Sequence, residues 1–388
     1  MKEITSIINY DKEYDTHAGK KIRTINPPVF NGSTVLFDSY QDLALANQGQ
    51  YQGLTYGTDG LPPQKDFEEA ICAIEHGHLC RAFQSGISAI THVLQAFTQA
   101  GDHIIICDNV YWPTSNFCNN ILTKFGVEIS YAPSAVGVEI KEMIRDNTTL
   151  IFMESPGSNT FEIQDIEAIV DIAQEHDIVT VQDGTWATPI YHKALDFGID
   201  IAIQSVSKYI SGHSDILLGT ATVNKKHAQT FATYYKTLEL FAPPQDCYMA
   251  LRGLKTLAVR LAHHEKVALE IASHLATHSA VDKVIHPAMT SHPQHDRFLK
   301  YFTGSSGLFS FTLRKDLDET EIGELVDSLS LFGIGYSWGG YKSLVTAGQY
   351  TREHGSLYAG KTVIRLSIGF EDVSDITNDL DQALAKVI

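Results

Sequence analysis

Five short apolar runs, at 103–107, 149–153, 178–181, 199–203 and 216–223, constrain this chain more than any other feature. Between them, the stretches 114–125, 139–145 and 165–176 carry helix-like spacing. The runs are continuously hydrophobic, without the apolar–polar alternation of a half-wet sheet, which marks strands buried on both faces. Crossovers of this length connect parallel neighbours and lay helices over the sheet. The expected fold class is therefore α/β, with a mainly parallel (parallel or mixed) sheet flanked by helices.

Upstream, Phe67, Ala70, Ile71 and Ile74 recur at i, i+3, i+4 and i+7, the stripe of an amphipathic helix that stops at Gly77. A second helix follows Gly86, with Ile87, Ile90, Val93, Leu94 and Phe97 on one side and a stop at Gly101. Before about residue 60, Pro27, Pro28, Gly53, Gly57 and Gly60 break any periodicity, so this part reads as an irregular arm. Beyond about 250, a helix-like stretch at 251–274 and strand-like runs at 307–313 and 362–368 read as a smaller C-terminal α/β domain. The expected division is an arm over 1–60, a main domain over 61–250 and a C-terminal domain over 251–388, parted near the turn 241–246.

Charge excludes one class of partner. Lys and Arg number 29 against 46 Asp and Glu, a net charge of −17, so a nucleic-acid backbone finds no excess of cations to replace its counterions. Five scattered cysteines, without a CxxC pair, suit neither a disulfide framework nor a zinc site and fit a reducing cytoplasm. The 17 histidines are dispersed without HExxH spacing, so no metal is expected. The first residues are charged and lack the apolar core of a signal peptide, and no run reaches the ~18–20 apolar residues of a membrane span.

Ligands of open α/β sheets gather at the carboxyl ends of the strands. There this chain places Asp183, then Ser205-Val206-Ser207-Lys208, then Asp108 with Tyr111 three residues on, and Gln84-Ser85-Gly86-Ile87 at a helix start. Singly, each has an ordinary reading: a surface lysine, a capping acid, a rim tyrosine. Together they suit pyridoxal phosphate, a pyridine bearing an aldehyde and a phosphate. The helix start at Gly86 and Ile87 offers free N–H groups to a phosphate, and Ser205 and Ser207 add hydroxyls. Lys208 can form a Schiff base once its amine is neutral. Asp183 can keep the pyridine nitrogen protonated, and Tyr111 can stack on the ring.

The segment SVSKYISGHSDILLGTA (205–221) resembles the cofactor-lysine signature of the transsulfuration enzymes that use pyridoxal phosphate. YGTDGLP (56–62), DNVYWPT (108–114), ESPGS (154–158) and ALDFGID (194–200) are similar to family segments in the same order, so the resemblance spans about residue 25 to the end. It implies the type I, aspartate aminotransferase-like fold. TGSSGLFSF (303–311), YSWGGYKSL (336–344) and IRLSIGFEDV (364–373) are similar to the bacterial cystathionine β-lyase branch. That branch implies α,β-elimination from an amino-acid thioether. It also implies Arg365 on the substrate α-carboxylate and Tyr336, Ser337 and Trp338 beside it. Other carbon–sulfur lyases, such as a cysteine desulfhydrase or a cysteine-conjugate β-lyase, share this machinery. A γ-acting member and a non-catalytic cofactor-binding regulator are more distant readings.

The resemblance further implies that Tyr56 reaches a neighbouring subunit's site, which requires at least a dimer and suggests a dimer of dimers. Two departures stand out. The usual arm arginine is replaced by Thr58, which removes a positive charge from the phosphate cup and is expected to weaken cofactor retention. The acid at 183 is followed by Gly184 where the family has Asn, which is expected to loosen the next loop.

Overall fold

The computed structural model describes residues 3–8, 14–15, 21–22 and 24–387. Seven strands form the larger sheet: β1 (Leu79–Phe83), β2 (His103–Cys107), β3 (Glu128–Ala132), β4 (Thr148–Glu154), β5 (Val179–Asp183), β6 (Ile201–Gln204) and β7 (Gly219–Val223). Their spatial order is β1-β7-β6-β5-β4-β2-β3. β7 runs antiparallel to both neighbours, and every other pair is parallel, so the sheet is mixed. Ile104, Ile105 and Ile106 of β2 are fully buried, as a strand covered on both faces requires.

All five apolar runs are strands of this sheet. The two strands that complete it, β1 and β3, carry Arg81 and Glu128 with Ser130, polar residues that hide them from a search for apolar runs. The helix Gly86–Ala96 starts at Ser85, whose hydroxyl accepts a hydrogen bond from Ser88 N at 3.1 Å. Its Ile90, Val93 and Leu94 are buried, each stabilising the fold by roughly 1.5–3 kcal/mol.

Two expectations are corrected. The stretch around 251–274 is two helices, Pro244–Leu254 and Leu257–Thr277, because Thr256 N turns back to Gly253 O at 3.1 Å and closes the first. The arm is not wholly irregular: Ser39 caps a helix at Tyr40–Asn47. That helix buries none of its residues, so it has no apolar stripe to betray it.

A second sheet holds β8 (Val281–Ile285), β9 (Leu308–Leu313), β10 (Gly333–Ile334), β11 (Leu344–Gly348) and β12 (Val363–Ser367) in the order β8-β9-β12-β11-β10. Only the β10–β11 pair is parallel. Phe309, Phe311, Ile364 and Leu366 pack with Ile271, Leu275, Ile376 and Leu380 of two covering helices, Leu257–Thr277 and Val373–Leu384. The sheets meet at Trp186, whose indole N–H donates to Leu308 O at 2.9 Å and whose ring sits against Phe298, Phe302 and His286.

Candidate active site

Parallel strands end together, and two acids lie where they end. Glu154 closes β4 and Asp183 closes β5, and the two are register partners. Asp183 is buried, and its Oδ1 accepts hydrogen bonds from Thr185 N at 2.9 Å and Thr185 Oγ1 at 2.5 Å. Burial pushes its carboxyl above the usual range, while Thr185 and the Lys208 ammonium pull it back.

The next strand leads into a turn that carries Lys208. Ser205 N donates to Thr185 Oγ1 at 2.8 Å, so one threonine ties the Asp183 loop to the lysine turn. Arg260 clamps the far side of that turn: its guanidinium donates to Tyr209 O, Ile210 O and Gly253 O at 2.5, 3.1 and 2.7 Å. Lys208 Nζ donates to Ser337 Oγ at 3.0 Å and lies 5.4 Å from the centre of the Trp338 ring. Burial brings its pKa down to about 8, helped by the Arg365 charge and opposed by Asp183.

The second sheet provides the opposite wall. Arg365 lies within β12, and its Nη2 donates to Tyr336 O at 2.6 Å and Ser337 O at 3.4 Å. Nη1 donates to Asn159 Oδ1 at 3.3 Å, and the buried Nε has no partner. Gly339 has φ +83°, and a Cβ there would stand 2.8 Å from Tyr209 N and 3.0 Å from Lys208 C. Only glycine lets the Ser337–Trp338 segment lie this close to the lysine backbone. Tyr111 heads the helix Trp112–Asn120, and its N–H donates to Glu154 Oε2 at 2.5 Å. Burial raises its phenol pKa, nearby carboxylate charge raises it further, and Arg365 opposes this.

Lys208, Asp183, Tyr111, Arg365, Ser337 and Trp338 thus converge. Tyr336 takes part through its carbonyl, while its side chain is 91% exposed. Gly86 opens the helix against Ser205: an added Cβ would stand 2.6 Å from Ser205 Oγ. Ile87 is the next residue of that helix. The Ser207 hydroxyl is engaged with Leu218, donating to its O at 3.2 Å and accepting from its N at 2.9 Å. Gly184 is tied at both main-chain groups, N to Ile203 O and O to Ala187 N and Thr188 N.

Tyr56 and Thr58 lie in a cavity whose lining does not include Lys208. It is open, with a volume of about 680 Å³, and Arg81, Tyr235 and Lys236 line it too. There Asp59 Oδ2 accepts hydrogen bonds from Thr55 N and Tyr56 N, which sets the turn. Glu154, Asn159, Thr185 and Arg260 went unassigned in the sequence. Glu154 opens the ESPGS segment and Asn159 follows it, a visible signal; Arg260 sits in an ordinary helical pattern and gives none.

Residues 5–385 match the model of the Cys/Met metabolism PLP-dependent enzymes. The chain belongs to this family. It is 37% identical to cystathionine beta-lyase MetC of Escherichia coli, over 97% of this chain and all of that one. It is also 37% identical to the L-alanine/L-glutamate racemase of Wolbachia pipientis, over 100% of this chain and 98% of that one. The fold is that of the crystal structure of metB from Corynebacterium glutamicum, with a TM-score of 0.89 at 28% identity, covering 100% and 99% of the two chains.

The family's cofactor is pyridoxal phosphate, and the residues present fit it. Both Asp183 hydrogen bonds from Thr185 fall on one oxygen, leaving the other for a ring nitrogen. The Lys208 amine is weakened as a Schiff-base lysine must be. The Gly86 helix start packs without a Cβ against Ser205, which sets the helix N–H groups beside the Ser205 hydroxyl. Among the described residues, no helix is long and apolar enough to cross a membrane, and no cluster of His, Cys, Asp and Glu could hold a metal ion.

Proposed function

We propose that this chain is a carbon–sulfur β-lyase acting on amino-acid thioethers, with L-cystathionine and water giving homocysteine, pyruvate and ammonia. The observation that carries this reading is the Lys208 amine, held by Ser337 beside the Trp338 ring and facing Arg365.

Arg365 offers its unpartnered Nε to the substrate α-carboxylate, while Tyr336, Ser337 and Asn159 fix the rest of the fork. A charge-assisted bond of this kind contributes about 1.5–3 kcal/mol. Lys208, with a pKa of about 8, is neutral in roughly one molecule in ten at pH 7 and takes the α-proton on Nζ. Pyridoxal phosphate supplies the electron sink for the charge left on that carbon, and Asp183 is the anion that keeps its ring nitrogen protonated. The departing sulfur takes its proton from Lys208 Nζ or from Tyr111 Oη, whose raised pKa keeps it a phenol at neutral pH. The Trp338 ring narrows the space beside the reacting carbons.

Two companion assignments follow. Tyr56 is assigned to the site of a second copy of the chain, as the family resemblance implies; the cavity it lines does not include its own Lys208. The five free cysteines, four of them buried, suit a reducing cytoplasm.

A pyruvate-coupled assay with thiol detection, with and without added cofactor, tests the reading. Cystathionine is expected to give pyruvate and thiol in equal amounts, faster than cysteine, cystine or a cysteine conjugate. Preference for cysteine makes the enzyme a desulfhydrase, and 2-oxobutyrate from cystathionine makes it γ-acting. D-alanine from L-alanine without pyruvate release makes it a racemase, the activity named for the Wolbachia relative. No turnover of any of these leaves a cofactor-binding regulator.

A further inference from the structure

No step above uses Glu154. It ends β4 in register with Asp183 on β5, so the two acids stand on neighbouring strands about 4.8 Å apart. Glu154 Oε2 accepts the Tyr111 N–H, the main chain from which the Tyr111 ring projects. Three charged or titratable groups face it: Asp183, Tyr111, and Arg352 from the loop after β11. Arg352 is already committed, donating to Asp108 O, Ser158 O and Thr160 Oγ1 at 2.8, 2.9 and 3.1 Å. Asp183 has both Thr185 donors and the attraction of Lys208. Two carboxylates side by side do not both ionise readily, and the one with more hydrogen-bond donors and a cation near it keeps the charge. Burial, reinforced by Asp183, holds Glu154 well above the carboxylate range.

We propose that Glu154 is a positioning residue, an uncharged acceptor that holds the Tyr111 main chain at the mouth of the site and leaves Asp183 as the sole anion of its floor. This rests on the assignment of Asp183 to the cofactor ring nitrogen.

The test uses the holoenzyme with Glu154→Gln and Glu154→Ala. Glutamine keeps an acceptor oxygen and carries no charge. It is expected to hold kcat/KM within about threefold of the parent and to leave the pH midpoint of the bound cofactor's visible absorbance unchanged. Alanine removes the acceptor, frees Tyr111 and is expected to lower kcat/KM about 10–100-fold. A glutamine variant as damaged as alanine, or one whose absorbance midpoint moves by a unit or more, overturns the proposal by showing an ionised Glu154. An alanine variant with parental activity overturns it by showing that Tyr111 needs no such hold. Should the parent release no pyruvate, the functional reading fails, yet the absorbance comparison of parent and glutamine variant still decides the charge on Glu154.

Discussion

Asp183, Glu154 and Lys208 sit where the strands of the larger sheet stop or just beyond, whereas Arg365 sits in the middle of an antiparallel strand of the smaller one. Across its two neighbouring strands, Arg365 is in register with Ser310 and Thr346, small polar residues that leave room for a long side chain. The floor groups are met by partners from three places: Thr185, two residues on, donates to Asp183, the Tyr111 N–H from beyond β2 donates to Glu154, and Lys208 itself donates to Ser337 on the wall. The wall group keeps its charge and is immobilised by carbonyl oxygens. A group that must titrate needs an adjustable environment, which turns provide. A group that must only point is better built into a sheet.

The sharpest way to break this division is Lys208→Ala. It is expected to lower kcat by about 10³–10⁴-fold, near the upper range for loss of a general base, and to abolish the visible absorption of bound cofactor. Arg365→Ala is expected to lower kcat/KM about 10–100-fold, from one charge-assisted bond, while leaving that absorption in place. Arg365→Lys is expected to recover little, since an ammonium lacks the planar fork. Steady-state kinetics with absorption spectra check all three variants. If Arg365→Ala loses the cofactor band as Lys208→Ala does, the wall is holding the cofactor and the division fails. A smaller effect belongs to Trp338→Leu: about a tenfold rise in KM for cystathionine, with no change for a compact β-substituted alanine.

The floor was legible in the sequence because parallel strands announce themselves as apolar runs and the residue after each run is fixed at the sheet's edge. Asp183 and Lys208 could be placed by counting from the runs at 178–181 and 199–203. The wall was not legible in that way. Arg365 lies between Ile364 and Leu366 and looks like any inward strand residue; resemblance to the transsulfuration enzymes pointed to it. β10 and β11 gave no signal, being short or containing Thr346 and Gly348. Asn159 reaches Arg365 from a residue with φ +66°, a backbone choice that only the folded loop reveals. Glu154 was visible as a segment but not as a neighbour of Asp183, because strand order, not sequence order, brings them together.

The two regions also act on each other through charge, and the smallest expected effect measures it. On the proposed assignment, Lys208 of the apoprotein would take up pyridoxal phosphate only as the neutral amine. With its pKa near 8, the rate of cofactor uptake is expected to rise about tenfold per pH unit below that value and to level off above it. An ordinary lysine would keep gaining rate to about pH 10.4. Burial is the larger cause of the lowered value, so removing a neighbouring charge shifts the plateau without erasing it. Arg365→Gln removes a repelling cation, favours the ammonium and is expected to move the plateau to higher pH. Asp183→Asn removes an attracting anion and is expected to move it lower. Stopped-flow absorbance of cofactor uptake across pH reads both shifts. If Arg365→Gln leaves the plateau where it was, the wall contributes only its grip on the carboxylate, and the lysine is tuned by burial and the floor alone.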